Sequence, residues 1–172
     1  MNLLKDKTAL ITGAARGIGK AVAVSMAKQG ANIAFTDLNI DEKAMETVAL
    51  LESYGVRVKA YASNAASFEE THRVVTEVVK EFGAIDILVN NAGITKDNLM
   101  LRMTEAQWDM VINVNLKSAF NFIHAVSPVM IKQRSGSIIN MSSVVGLSGN
   151  AGPTNYSASK AGMVALTKSI AK

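Results

Sequence analysis

Ala9-Leu10-Ile11-Thr12-Gly13-Ala14-Ala15-Arg16-Gly17-Ile18-Gly19 begins as a short apolar run and passes through three glycines into a stretch of helical spacing. The pattern is Gly-x-x-x-Gly-x-Gly. No Gly-Lys-Ser/Thr follows, so it is not a Walker loop. Here Gly13 lets the chain turn off a strand, Gly17 lets backbone approach a diphosphate, and Gly19 lets the helix pack close to the sheet. Amides at the helix start, aided by the helix dipole, attract an anion. The stretch predicts a strand, a phosphate-binding turn and a helix.

The same unit recurs outward from it. Further apolar runs are Ile33-Ala34-Phe35, Val56 to Ala62, Ile85 to Val89 and Ile138-Ile139. Several are continuous rather than alternating, as parallel strands covered on both faces require. The segments between them read as helices. Gly17 to Gln29 ends at Gly30, Asp41 to Tyr54 ends at Gly55, and Ser67 to Phe82 is closed by Gly83. Ser67/Glu70 and Thr104/Gln107 have the spacing of capping boxes. The second opens a long helix toward Met130, with a break expected near Pro128. Tyr156 to Lys172 is helical through Met163, Leu166 and Ile170. This alternation predicts an α/β fold, a Rossmann-type doubly wound parallel sheet with helices on both faces. In such a sheet ligands bind beyond the carboxyl ends of the strands.

The 172 residues suffice for one domain with a core, and 1–172 is read as a single dinucleotide-binding and catalytic domain. Lys plus Arg is 18 and Asp plus Glu is 14, a net charge of +4. That excess is small, and no basic stripe is interleaved with aromatics, so nucleic acid is not the expected partner. There are no cysteines, which excludes disulfides and thiolate chemistry and fits a reducing cytoplasm. No apolar run reaches the roughly 18 residues of a membrane span, and Met1 to Lys7 lacks the apolar stretch of a signal peptide. His72 and His124 lie within helices with no ligand at metal spacing, so no metal is expected.

Asp37 follows the second strand, where a carboxylate can accept hydrogen bonds from adenosine ribose hydroxyls and would repel a ribose phosphate, favouring NAD(H). Arg16 points the other way, because a guanidinium beside the loop can pair with that phosphate. The residues leave this choice open.

A second cluster lies later in the chain. Ser142-Ser143 follows the fifth strand, Tyr156 comes 13 residues after Ser143, and Lys160 one helical turn further. At i and i+4 the phenol and ammonium share a face. A free phenol ionises near pH 10, too high for acid-base work at neutrality. A cation about 5 Å away, at an effective dielectric near 20, is worth roughly 3 kcal/mol and makes the phenol a usable proton donor to a carbonyl oxygen. Ser143 would hydrogen-bond the same oxygen. Asn90-Asn91-Ala92-Gly93 adds polar groups and a glycine after the fourth strand.

Taken together, Thr12 to Gly19, Asn90 to Gly93, Asn115, Ser143, Tyr156 and Lys160 resemble the motif set of the short-chain dehydrogenases/reductases, over essentially the whole chain. The resemblance implies a catalytic tetrad of Asn115, Ser143, Tyr156 and Lys160, with Asn115 holding a water that relays protons to the lysine. From spacing alone, Asn115 reads as a buried, locally satisfied helix residue. The resemblance also implies cofactor contacts at Gly13, Arg16, Gly17, Ile18, Gly19, Asp37, Asn91, Ala92 and Gly93, and at Asn64-Ala65, where many members carry an acid that touches adenine. Asn91 to Leu99 and Ser143 to Gly146 are most similar to the 3-oxoacyl carrier-protein reductase branch. That similarity implies reduction of a 3-oxoacyl thioester in fatty-acid synthesis, NADP(H) as the usual cofactor, an acidic acyl carrier protein meeting Lys132 and Arg134, and a homo-oligomer, a tetramer in the family. A sugar-alcohol or steroid dehydrogenase, or a dinucleotide-binding fragment without turnover, fits the same residues.

The last helix is still periodic at Lys172, with no Gly or Asn cap after it. The resemblance implies two further strands and a substrate lid beyond this point. The fifth strand is therefore expected to be an apolar edge.

Overall fold

The computed structural model describes residues 2–172; Met1, the first residue of the stretch read for a leader, lies outside them. Five strands form the sheet: β1 (Thr8–Thr12), β2 (Asn32–Asp37), β3 (Val58–Ala62), β4 (Ile87–Asn90) and β5 (Ser137–Asn140). All pair parallel, in the order β3-β2-β1-β4-β5. The expected doubly wound sheet is present. Its order reverses between β1 and β4, so the crevice of such folds falls at the carboxyl ends of these two strands.

The helices are α1 (Gly17–Lys28), α2 (Glu42–Glu52), α3 (Phe68–Phe82), α4 (Glu105–Ile112), α5 (Ser118–Gln133), α6 (Val145–Ser148) and α7 (Thr154–Ile170). Side chains alternate along β1 and so feed two cores. Ala9 and Ile11 pack with Ala23 and Ala27 of α1 and Leu51 of α2. Leu10 packs with Val74 and Val78 of α3, Phe122 and Val126 of α5 and Met163 of α7. Each such large side chain, fully buried, contributes about 1.5–3 kcal/mol. β5 departs from this pattern: Ile139 is 41% exposed on an edge strand.

Three local expectations change. The Ser67 box is half-formed, because its hydroxyl accepts from the Glu70 amide at 3.3 Å while the Glu70 carboxylate turns to the Asn64 amide at 2.8 Å. The Thr104/Gln107 box is complete. The helix it opens does not break at Pro128, which lies inside α5. The interruption comes earlier, as a π turn over Asn113–Lys117 centred on buried Asn115. The last helix starts two residues sooner than its periodicity suggests and ends at Ile170.

The histidines also differ from expectation. His72 Nε2 lies 3.0 Å from His124 Nδ1, across α3 and α5. They make a two-imidazole contact, and no group of three metal-ligating residues occurs among the described residues.

Candidate active site

The segments following all five strands border one cleft of about 940 Å³, closed on one side by Tyr156 and Lys160 of α7. Its two ends are built differently.

At the glycine end, Thr12 joins the two central strands. Its hydroxyl accepts from the amides of Asn91 and Ala92 at 3.0 and 2.9 Å. The Asn91 side chain returns the connection, donating to the carbonyls of Thr12 and Gly13 at 2.9 and 3.0 Å. Gly19 is packed directly behind this knot: a Cβ there would stand 2.4 Å from the Gly13 carbonyl oxygen and 2.6 Å from Asn91 Nδ2. The turn is held from outside as well. Asp37 Oδ2 accepts from the Ala15 amide at 3.3 Å, and buried Thr47 of α2 donates to the Ala15 carbonyl at 2.9 Å.

These residues fit a dinucleotide. The residue before α1, Arg16, makes no side-chain cap bond, and the first turn holds no acid, so the leading amides lack side-chain acceptors. Gly17 has φ +60° with nothing within 4 Å of where a Cβ would stand. Ser63, on the cleft wall, has a buried hydroxyl without a partner. Asp37 presents a carboxylate fixed on both oxygens, with Oδ1 accepting from the Leu38 amide at 2.9 Å.

At the other end, Lys160 is 5% exposed; its Nζ donates to the Met141 carbonyl at 2.6 Å and lies 5.7 Å from the centre of the Tyr156 ring. Ser142 borders the cleft, but its hydroxyl donates to the Lys160 carbonyl at 3.0 Å. Asn115 is fully buried. Its side chain accepts from the Ile94 amide at 2.7 Å and donates to the Ile94 carbonyl at 3.0 Å and to Ser159 at 3.2 Å.

Gly13, Arg16, Ile18, Asp37, Asn64, Ala65, Asn91, Ala92, Gly93, Tyr156 and Lys160 all border the cleft. Gly17, Gly19, Asn115 and Ser143 do not. Asn115 is a satisfied buried residue, as spacing suggested, though its partners lie 21 and 44 residues away. Thr47, Ser63 and Asn155 lie outside the sequence reading, which includes Thr12 only as a member of the Thr12-to-Gly19 motif and not as the link between strands. Thr12 carries a local signal, a hydroxyl on the last strand residue before the glycine turn; Thr47 carries none, because only the packed α2 brings it to the loop.

Burial holds the Lys160 ammonium below its ordinary pKa of 10.5. The unfolded chain therefore binds this proton more tightly than the folded one. At neutral pH the folded state carries a penalty, and it fades as pH rises from the lowered value through 10.5. Among the described residues no carboxylate pairs with Lys160. Lys160→Met is expected to raise Tm at neutral pH by about 2–4 °C and to flatten the rise of stability with pH. Thermal melts from neutral to alkaline pH check this, and a lower Tm for the variant at neutrality would contradict it.

A family model described as short chain dehydrogenase matches residues 7–172. The chain is 48% identical over 167 residues to the 3-oxoacyl-[acyl-carrier-protein] reductase FabG of Staphylococcus epidermidis, covering 97% of this chain and 68% of that protein. It is 50% identical over 172 residues to FabG of Thermotoga maritima, covering 98% and 68%. Among solved structures, a putative short-chain alcohol dehydrogenase from Sinorhizobium meliloti superimposes with a TM-score of 0.94 at 36% identity, over 98% of this chain and 66% of that one. NAD+-bound xylitol dehydrogenase does so with a TM-score of 0.95 at 34% identity, over 98% and 65%. The chain spans about two thirds of the length of the relatives it matches.

Proposed function

The chain belongs to the short-chain dehydrogenase family, and from that premise we propose that it reduces 3-oxoacyl thioesters on acyl carrier protein to 3-hydroxyacyl thioesters with NAD(P)H, in fatty-acid biosynthesis. One observation carries this reading: Tyr156 and Lys160, one helical turn apart, border the same cleft as the glycine turn.

When bound, the reduced nicotinamide supplies the hydride that the carbonyl carbon receives. The protein supplies the rest. Amides at the start of α1, with Gly13 and Gly17, hold the diphosphate, Asp37 the ribose hydroxyls, and Asn64-Ala65 the adenine. Asn91, Ala92 and Gly93 carry the cleft wall toward Tyr156. Tyr156 donates its phenolic proton to the carbonyl oxygen, and the Lys160 ammonium favours the phenolate left behind. Lys160 is the expected route by which that proton is replaced. Of the two serines, Ser142 is committed to the Lys160 carbonyl. The Ser143 hydroxyl has no hydrogen-bond partner among the described residues, and, although Ser143 does not itself border the cleft, it adjoins the wall residue Ser142 and is the proposed donor to the substrate oxygen. Asn115 acts here by holding the Ile94 peptide through both its groups.

Residues 1–172 serve as one dinucleotide-binding and catalytic unit in this reading. Exposed Lys132 and Arg134, at the end of α5, are the proposed contacts for an acidic carrier protein. A homo-oligomer in the cytoplasm is proposed. Among the described residues no helix is long and apolar enough to cross a membrane.

The test mixes the chain with acetoacetyl thioester and each reduced cofactor and follows loss of nicotinamide absorbance. Because Asp37 is held by two amides and cannot turn away, NADH is expected to exceed NADPH in kcat/KM by about tenfold or more. Asp37→Ser is expected to narrow that ratio. No thioester reduction with either cofactor, alongside dinucleotide binding, would sink the proposal and leave a binding protein. Reduction of sugar alcohols or steroids alone would replace the substrate.

A further inference from the structure

Asn155, immediately before Tyr156, is fully buried. Its Nδ2 donates to the carbonyls of Lys96 and Gln107, each at 3.2 Å, and its Oδ1 accepts from the Tyr156 amide at 2.8 Å. Both amide hydrogens and the carbonyl are used, which a buried amide requires and which fixes its rotamer. Lys96 belongs to the cleft wall after β4. Gln107 lies in the first turn of α4, where its side chain closes the capping box and also meets Asn98 at 3.4 Å.

The far side of the Tyr156 residue is held similarly. Its carbonyl accepts from Ser159 at 2.7 Å, and Ser159 accepts from Asn115, which grips Ile94. The backbone N–H of Tyr156 is thus tied to the loop bordering the cleft through one buried neutral side chain, Asn155, and its C=O through two, Ser159 and Asn115. Asn155 is the second residue of α7, and toward the helix its side chain offers only an acceptor oxygen, to the Tyr156 amide. What asparagine adds is two donors, and both leave the helix for other elements.

We propose that Asn155 is a positioning residue that locks the Tyr156 phenol in register with the loop over 93–98, so that the wall of the cleft and the proton donor move as one body. This rests on the assignment of Tyr156 as proton donor.

Asn155→Ser separates the two roles, because it keeps a small polar side chain with an oxygen beside the Tyr156 amide and removes both amide donors that reach Lys96 and Gln107. The expected result is cooperative unfolding, dinucleotide Kd within about twofold of wild type, and kcat per dinucleotide-binding site lower by about 10- to 100-fold with little change in thioester KM. A merely structural role would change the folded fraction and leave kcat per binding site alone, so kcat within twofold of wild type overturns the proposal. A second measurement needs no variant. In the wild-type chain with dinucleotide and acetoacetyl thioester, hydrogen exchange at the Tyr156 amide and at the amides of Ile94 and Lys96 is expected to slow together. Slowing of one group without the other overturns the proposal. Tyr156→Phe runs alongside. If that variant still turns over, the assignment of the proton donor falls. If it is inactive while Asn155→Ser matches wild type, only the positioning role falls.

Discussion

Tyr156→Phe is expected to lower thioester reduction by about 10²–10⁴-fold, the range that a positioned general acid supplies. The substitution removes one oxygen and leaves the ring. It keeps the Tyr156 backbone bonds to Asn155 and Ser159, which do not involve the phenol. Fold and cofactor end should therefore survive: Tm within a few degrees of wild type, and dinucleotide Kd within about threefold. The loss should appear in kcat rather than KM, because the proton is needed only as charge develops on the carbonyl oxygen. Steady-state kinetics with dinucleotide titration reads all three quantities. A variant with more than a tenth of wild-type kcat would move the proton donor elsewhere on the cleft. The pH profile adds a constraint. Burial lowers the pKa of Lys160 below 10.5, so the alkaline fall in kcat is expected to begin before that of an exposed lysine.

Gly19→Ala is expected to remove dinucleotide binding and about 3 kcal/mol or more of stability. A methyl at this position would overlap the Gly13 carbonyl oxygen at 2.4 Å, Asn91 Nδ2 at 2.6 Å and Ala14 Cα at 2.9 Å. Two of these three atoms are backbone, and the third is the amide that joins β4 to β1. Relief requires α1 to lift from the turn or Asn91 to abandon two carbonyls. Overpacking costs about 1–3 kcal/mol and stranding a buried polar group a similar amount. Gly17→Ala is the control. It meets no atom within 4 Å, but φ is +60° and its methyl would enter the space offered to an anion. It should weaken binding at a cost of only about 1–2 kcal/mol in stability. Thermal melts and dinucleotide titration of both variants decide the matter. Equal Tm for Gly19→Ala and wild type would show that the knot yields more easily than its contacts imply.

The sheet was legible in the sequence because its signals are local and redundant. Continuous apolar runs, glycines after helices and one turn with Gly-x-x-x-Gly-x-Gly each say the same thing. The cleft was legible where residues adjoin strand ends, as Asp37, Asn64 and Asn91 do. It was less legible where function depends on which of two neighbours faces inward. Ser142 and Ser143 differ by one position, and only the structure shows that Ser142 lies on the wall with its hydroxyl already occupied. The contact of His72 with His124 and the hold of Thr47 on Ala15 were out of reach because they join residues 52 and 32 apart through helix packing. Pro128 misled for a different reason: its ring is tolerated within α5, and the true irregularity has no proline or glycine to mark it.

That irregularity has a consequence for the long helical stretch after Thr104. The wide turn over Asn113–Lys117 inserts about one residue beyond α-helical count, rotating α5 by about 100° relative to α4. Met110 and Val114 before or within it border the cleft, whereas Phe122, Val126 and Met130 after it fill the core beneath the sheet. The turn is a phase shifter: it lets one continuous rod serve two surfaces that an unbroken α-helix could not face at once. Of the side chains ahead of it, Met110 lies on the ligand wall and is 47% exposed, so it can be exchanged without disturbing the periodicity that seats the rod on the strands, whereas its neighbour Val111 is fully buried.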